Sequence, residues 1–196
     1  MNLDDYRTVF ASVFLVAILV SSSPVISFYW PSGGERFSEL WILGPGRMAE
    51  DYPFNVRVGM EYSVFVGVGC HMGGLTYYRV CVKFRNQSQP LPNATAGVAS
   101  PLPPLYEFHV FVADEMAWES RVNFTVLDAV RLGNTTCVRY LSINGVGFEV
   151  NSTAAWDSEY GGFFYQVFFE LWTYDTAVSG FQYHNRFVGL WLNMTV

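Results

Sequence analysis

Hydrophobic and polar positions divide this chain into two parts. Residues 8–34 carry no charge, and most of the side chains up to Trp30 are apolar. After residue 34, apolar and polar residues instead alternate in short runs with period two. Alternation of that kind indicates half-buried β-strands, whereas a membrane helix needs about 20 apolar residues in a row. We therefore predict a membrane anchor and short linker at residues 1–34 and an extracytoplasmic β domain at residues 35–196.

The apolar segment fits either a retained anchor or a cleaved signal peptide. Residues 21–24, Ser-Ser-Ser-Pro, shorten its first part to the length of a signal-peptide core. However, Arg7 is the sole basic residue before it, so the positive leader of a signal peptide is missing. Residues 28–30 supply the aromatic side chains that favour a membrane interface. We predict one N-terminal transmembrane helix, with the membrane contacted through residues 8–30.

The alternating part contains eight or nine short runs that predict strands. They lie at residues 39–43, 55–70 (a bent pair), 76–85, 106–112, 121–127, 138–143, 147–150, 162–173 and 181–196. Asn144-Gly145 is a strong signal for a hairpin turn. A second hairpin is predicted at Gly73, and residues 114–119 are predicted to form a tight connection with room for one helical turn.

Short strands at this spacing, without an amphipathic helix, predict an all-β fold. The expected architecture is an immunoglobulin-like antiparallel β-sandwich, and a closed barrel is the alternative. The C-terminal run at 181–196 is apolar on both faces, and we expect it to lie beside the run at 162–173. The predicted inward residues include Val64, Val66, Val68, Val80, Val82, Phe108, Val110 and Val112.

Asparagine positions point to glycosylation. Six of the ten asparagines lie in N-x-S/T sequons, at Asn86, Asn93, Asn123, Asn134, Asn151 and Asn193. With 25 Ser and Thr among 196 residues, chance predicts roughly one sequon. This excess indicates an exported, glycosylated surface, since sequons are modified in secreted proteins. A Thr-rich β protein that acquires sequons through its composition is the alternative interpretation.

Charge and cysteine content narrow the partner classes. The formal net charge is −6, and acidic residues outnumber basic ones, so we expect no nucleic-acid partner. Three cysteines, Cys70, Cys81 and Cys137, are too few for a disulfide scaffold. The predicted hairpin places Cys70 and Cys81 out of register for direct pairing. A link to Cys137 and three buried, reduced thiols remain as alternatives.

Candidate chemistry is sparse. The chain has no G-x-S-x-G, H-E-x-x-H or phosphate-binding-loop motif. We interpret the scattered histidines as structural residues, because a catalytic histidine needs positioned partners. The clustered acids are Asp114, Glu115, Glu119, Asp157 and Glu159. They lack the spacing of a calcium loop. Spacing alone does not exclude that two of them are the carboxylate pair of a glycosidase. We predict no catalytic, cofactor-binding or metal-binding residue.

Residues 37–59 carry a distinctive pattern, FSELWILGPGRMAEDYPFNVRVG. With PLYEFHVFVADEMAWE at 104–119 and YHNRFVGLWLNMT at 183–195, it resembles the ectodomain of archaeal membrane proteins catalogued as domain of unknown function 1616. The resemblance implies an archaeal envelope protein of unassigned function and supplies no catalytic residue. Members commonly have several membrane helices before the domain, whereas this chain has room for one.

These observations predict a single-pass cell-surface module with its C-terminal domain outside the cell. Its expected role is protein–protein contact or envelope structure without catalysis, with other envelope proteins or a second copy as partner. Sandwich loops bind partners without leaving a motif. A pilin-like filament subunit is one alternative, although the usual processing site is missing. A carbohydrate-binding domain, suggested by the tryptophans and tyrosines, is the other, so glycans are possible ligands.

Overall fold

The computed structural model describes residues 6–7, 9–18 and 35–195. The chain divides into two units, Met1–Arg36 and Phe37–Val196. In the first unit, residues 6–7 and 9–18 are helical. Within the described part of the chain, no helix has the length and apolar character needed to span a membrane. Residues 19–34 lie outside the described residues, as does most of the predicted span at 8–30, and the anchor stays a prediction.

The second unit is built from ten strands, which confirms the predicted all-β class. In chain order they are β1 (Phe37–Leu43), β2 (Asn55–Arg57), β3 (Glu61–His71), β4 (Thr76–Asn86), β5 (Tyr106–Val112), β6 (Met116–Leu132), β7 (Thr135–Ile143), β8 (Val146–Asp157), β9 (Gly162–Asp175) and β10 (Gly180–Thr195). The expected eight or nine strands were close to this number, and β5 has the predicted bounds.

Hydrogen bonds join the ten strands through two ladders. The first ladder has the order β1-β3-β6-β7-β8, and the second has the order β2-β10-β9-β4-β5. They are connected where β8 pairs with β9, at Trp156 with Phe163 and at Asp157 with Gly162. The pairs are antiparallel except for β2, which runs parallel to β10.

Both ladders contribute side chains to one hydrophobic core. Five of the predicted inward valines are fully buried, and they are Val64, Val66, Val68, Val80 and Val82. Val112 is nearly fully buried. Phe108 and Val110 are partly buried and pack against the same core. Period two therefore identified the buried faces of β3, β4 and β5 correctly, because successive side chains of a strand point to opposite faces.

Strand β10 lies beside β9, as its sequence predicted. The two strands pair from Gly180 with Asp175 to Asn193 with Phe164, with a bulge between Tyr183 and Arg186. β9 is buried on both faces over its first ten residues. A strand that is covered on both faces reads as a continuous apolar run, which explains the composition of this part of the chain.

The turn at Gly73 does not form the predicted hairpin. β3 pairs with β1 and β6, whereas β4 pairs with β5 and β9, so the chain crosses here from the first ladder to the second. Period-two alternation identifies a strand but not its neighbour, and a glycine turn suits either connection. Cys70 and Cys81 therefore lie in different ladders, and all three cysteines are unpaired, with Cys70 and Cys81 buried.

The prediction of a helical turn at residues 114–119 is also wrong. β6 begins at Met116 and continues to Leu132, beyond the predicted end of this strand at residue 127. Its register against β7 shifts around Asp128. A bulge interrupts the alternation of side chains, so the period-two pattern stops at the bulge although the strand continues beyond it. The predicted hairpin at Asn144-Gly145 is confirmed, with φ of +50° and +81°.

We expect Val66→Asp to destabilise the β domain by about 4 kcal/mol or more. Val66 is fully buried in the shared core, and a carboxylate there would have no charged partner. Urea unfolding followed by tryptophan fluorescence measures the change. Val66→Ile is the control for altered side-chain volume, and equal stability of the Asp variant and the natural protein would contradict the buried position.

Candidate functional site

The second ladder has a polar and aromatic face that points away from the core. On β4, Tyr78, Val80, Val82 and Phe84 belong to the core. The alternating residues of β4 lie on the opposite face, which we call the outer face, and they are Arg79, Cys81, Lys83 and Arg85. The registers with β9 and β5 place Cys81 opposite Glu170 and Glu107.

A buried ion pair lies at the centre of the outer face. Lys83 Nζ is 2.8 Å from Glu170 Oε2, and their side chains are 4% and 0% exposed. Lys83 also donates to the Ser100 carbonyl at 2.9 Å, while the Ser100 N–H donates to Glu170 Oε1 at 2.8 Å. Trp172 Nε1 donates to the same carboxylate at 3.2 Å. The ion pair thus holds the segment 87–105, which connects β4 and β5, against the outer face.

Cys81 lies beside this pair but is not activated. Its Sγ is 3.6 Å from Glu107 Oε1. Burial raises the pKa of the Cys81 thiol to about 12, in spite of the opposing effect of Arg79. A thiol needs a lowered pKa to act as a nucleophile at neutral pH. Cys81 therefore stays protonated and packs as a small apolar side chain.

One end of the outer face carries five aromatic side chains, which we call the aromatic patch: Tyr77, His109, Phe111, Tyr174 and Phe181. His109, Phe111 and Tyr174 are exposed, and Tyr77 and Phe181 are partly buried. Phe111 is 66% exposed and stacks on Tyr77 with ring centroids 4.2 Å apart. Tyr77 also contacts Phe181 at 5.0 Å and Tyr174 at 6.0 Å. These contacts fix the rings in position while their outer surfaces remain in solvent.

Arg79 and Glu107 contact the aromatic side chains of the patch and its neighbour Trp172. The Arg79 guanidinium lies 4.9 Å from the Trp172 ring centroid and 4.7 Å from that of Phe181. His109 Nε2 is 3.2 Å from Glu107 Oε2, and its Nδ1 is 3.2 Å from the Tyr77 hydroxyl. Cation–π contacts and hydrogen bonds of this kind restrict side-chain rotamers.

The other end of the outer face holds a cavity of about 450 Å³. Its lining consists of four aromatic rings, one carboxylate and one amide: Phe54, Tyr160, Phe164, Trp191, Asp157 and Gln87. The Arg85 guanidinium lies 5.3 Å from the centroid of the Trp191 ring. Gln87 Oε1 is buried and has no hydrogen-bond partner among the described residues.

The predicted sequons differ in accessibility. Asn93, Asn134 and Asn151 are exposed, and Asn123 and Asn193 are partly buried. Asn86 is 8% exposed, its Nδ2 donates to the Thr153 carbonyl at 2.8 Å, and its Oδ1 accepts from Ser88 and Gln89. The structure thus gives these six sites unequal room for a glycan.

Four of the five clustered acids have protein partners in turns or on strands. Asp157 Oδ1 accepts from the Glu159 and Tyr160 N–H groups, and Asp114 Oδ1 accepts from Gly73 N–H. Glu115 and Glu119 contact His71 and Arg47, respectively. Within residues 6–7, 9–18 and 35–195, His, Cys, Asp and Glu form no group of three or more with metal-site geometry.

The histidines lie apart from one another and have different surroundings. His71 stacks on Phe37 at 4.6 Å and contacts Glu115. His184 Nε2 lies 3.0 Å from Ser38 Oγ. Burial, and secondarily Arg186, lowers the pKa of His184, so its imidazole is neutral at pH 7.

The family is settled by a match over most of the domain. The family model named "Domain of unknown function (DUF1616)" matches residues 31–144, which is more than half of the 196 residues. The chain belongs to this family. The family match ends in the turn before β8 and thus includes β4 and β5 of the outer face but neither β9 nor β10. A search of curated proteins gives no match.

Solved structures give weak likenesses. The complex of zinc 2-glycoprotein and prolactin inducible protein from human seminal plasma has a chain with 9% identity and a TM-score of 0.38, covering 84% of this chain and 99% of that one. The β-glucosidase of Listeria innocua with glucose has 10% identity and a TM-score of 0.37, covering 83% of this chain and 17% of that one. This chain thus spans under a fifth of the enzyme, and TM-scores at this level carry no argument.

Sequence reasoning missed both the aromatic patch and the cavity. The tryptophans suggested a carbohydrate-binding domain as an alternative, but the sequence did not indicate that Trp156 and Trp191 are 39% and 40% exposed. The aromatic patch combines β4, β5, β9 and β10, which come from distant parts of the chain. Two charged residues between apolar neighbours were the available signal for a buried ion pair: the single lysine, Lys83, and Glu170.

We expect Lys83→Met to destabilise the domain by about 3–5 kcal/mol, because it leaves the Glu170 carboxylate buried without its cation. Glu170→Leu should cost a similar amount. The double variant should be less destabilised than the sum of the single variants, since neither charge is then unpaired. Urea unfolding of the four proteins measures this coupling, and strictly additive effects would contradict it.

Proposed function

We propose that this protein is a membrane-anchored, glycosylated cell-surface module that acts through protein–protein contact rather than through catalysis. In this proposal an immunoglobulin-like β-sandwich follows one transmembrane helix, and the domain lies outside the cell. The aromatic patch is the contact surface. Its occupant is another envelope protein that offers an apolar, aromatic-rich surface.

The exposure and rigidity of the aromatic patch carry the proposal. Phe111 and Tyr174 are 66% and 40% exposed, yet a stacking contact holds the Phe111 ring and an edge contact with Phe181 holds the Tyr174 ring. Aromatic and arginine side chains contribute most of the binding energy in protein interfaces. Rings that are already ordered lose little conformational entropy on binding. A preorganised group of aromatic rings around Arg79 therefore suits a protein partner.

Three of the six sequons lie on the first ladder, away from the aromatic patch, whereas Asn93 lies on the segment 87–105 that packs against the outer face. Asn123, Asn134 and Asn151 lie on β6 and β8 or in the turn before β7, all in the first ladder. The patch residues belong to β4, β5, β9 and β10. Among these strands, β4 carries Asn86, which is buried, and β10 carries Asn193 at the cavity end. Glycans on the first ladder would leave a contact surface on the second ladder open.

The described part of the first unit favours the anchor. Residues 13–16 are all apolar and 57–69% exposed. A helix that is apolar all around is suited to lipid or to a large protein interior rather than to water. This is the observation that supports contact with the membrane through residues 8–30.

The two ladders support the sandwich form of the fold. Both ladders contribute buried side chains to one core, and the crossover at Gly73 carries the chain between them. Two antiparallel sheets with a shared core and alternating inward residues form the immunoglobulin-like arrangement. Rigid strands then present the aromatic patch at a fixed position.

Site-specific photo-crosslinking on native membranes tests the contact surface. We expect a photoreactive phenylalanine analogue at Phe111 to crosslink to one discrete protein. The same analogue at Leu132 is the matched control, because both residues are 66% exposed but Leu132 ends β6 in the first ladder. Crosslinking at both positions alike, or at neither, would contradict the proposal. A product of twice the chain mass would identify a second copy instead of another protein.

Peptide mapping of the protein from its native host tests the surface location. We expect glycans at Asn93, Asn134 and Asn151, because these side chains are exposed, and an unmodified Asn86, because it is buried. The same spectra should contain residues before Ser21, as a retained anchor requires. A chain without any glycan would overturn the outward location, and a mature N-terminus near Val25 would overturn the anchor.

A further inference from the structure

We propose that the cavity beside Trp191 binds one neutral pyranose unit of a glycan. The proposal goes beyond protein contact through the aromatic patch and depends neither on that patch nor on the membrane anchor. It assigns a ligand class to the opposite end of the same outer face.

The size and lining of the cavity suit a single sugar ring. Small-ligand pockets have volumes of about 300–1,000 Å³ and apolar walls with a few polar groups. The cavity measures about 450 Å³, which leaves room for one ring and its first neighbours. Flat aromatic walls pack against the C–H faces of a pyranose, which is apolar on its faces and polar at its edge.

The rings around the cavity are held at an angle to one another. Phe164 lies in edge contact with Tyr160, with centroids 6.4 Å apart, and is tilted against Phe54 at 6.1 Å. Trp191 projects from the neighbouring strand, opposite Gln166. The rings thus form a concave apolar surface at the edge of the sheet.

The polar groups of the cavity include two hydrogen-bond acceptors. Gln87 Oε1 is buried without a partner among the described residues, and a buried acceptor without a donor is unfavourable. Asp157 uses Oδ1 for the backbone N–H groups of Glu159 and Tyr160, at 2.9 and 3.1 Å. A ligand that donates a hydrogen bond to the Asp157 carboxylate suits this lining, and sugar hydroxyls are such donors.

The position of Arg85 favours a neutral ligand over a cationic one. Aromatic cages with a carboxylate also bind quaternary ammonium groups. Here the Arg85 guanidinium, which is nearly buried, already lies 5.3 Å from the Trp191 centroid. A second cation on the same ring would be repelled by the first. Arg85 also donates to the Gln87 backbone carbonyl at 3.0 Å, so it holds the backbone of a lining residue as well as the ring.

Binding is tested with the full chain in phospholipid nanodiscs, which avoid sugar-containing detergents. The probes are the methyl glycosides of glucose, mannose, galactose and N-acetylglucosamine, with choline as the cationic alternative. Saturation-transfer NMR detects binding, and isothermal titration calorimetry measures affinity in the natural protein and in the variants alike. We expect at least one glycoside to bind saturably and choline not to bind.

Variants locate the binding at the cavity. Trp191→Ala should weaken it at least about tenfold. Tyr160→Ala should also weaken it, and because Tyr160 is 71% exposed in a turn, this variant keeps the test valid if Trp191→Ala does not fold. Trp156→Ala is the matched control, since Trp156 is 39% exposed, compared with 40% for Trp191, and is not a lining residue.

Removing the charge of Asp157 distinguishes glycoside binding from cation binding. Asp157→Asn keeps the acceptor oxygen but removes the charge, so glycoside affinity should change less than about threefold, whereas binding of a cation would be lost. The proposal is overturned if no glycoside binds saturably, if Trp191→Ala and Tyr160→Ala leave binding unchanged, or if choline binds in place of the glycosides. None of these results bears on crosslinking at Phe111, so the two proposals succeed or fail separately.

Discussion

The buried pair of Lys83 and Glu170 determines how the outer face of the second ladder is organised. Removing two charges from water is costly, and their attraction offsets this cost only when further hydrogen bonds satisfy the remaining polar atoms. Ser100 supplies two of these bonds, one through its N–H and one through its carbonyl. Holding the segment 87–105 in place is therefore a condition for burying the pair.

This arrangement divides the outer face into two accessible ends. Where the segment 87–105 is bound, β9 is covered on both sides, with Phe168 and Glu170 fully buried. Beyond it, the aromatic patch lies at one end and the cavity at the other. The 87–105 segment is rich in proline, which reduces the conformational entropy it loses on folding. Because the two surfaces lie at separate ends of one sheet face, the protein contact and the glycan contact that we propose would not exclude each other.

Aromatic side chains have several structural roles in this domain. Tyr78 and Tyr165 are buried, and desolvation raises the pKa of each hydroxyl to about 12, so both hydroxyls remain protonated. Trp41 lies on the opposite side of the molecule against Gly67, where any β-carbon would collide with the indole ring. Phe111 and Trp191 stay partly in solvent, at 66% and 40% exposure.

The sequence by itself determined the strands and their buried faces. The alternation of Val64, Val66 and Val68 indicates which face of β3 is buried, because the direction of each side chain follows from its position along the strand. Asn144-Gly145 determined a hairpin for the same reason, since its positive φ angles are a property of two residues. The six sequons and the uncharged segment at 8–34 likewise predicted glycosylation and an anchor without reference to the fold.

Tertiary structure alone decided which strands are neighbours and what their outer face carries. The crossover at Gly73 and the bulge at Asp128 depend on long-range packing, which short-range alternation does not encode. The aromatic patch joins Tyr77 to Phe181, and the cavity joins Phe54 to Trp191, across more than 100 residues of chain. Such sites exist only after the sheet has formed, because their geometry comes from strand order and register rather than from any continuous segment.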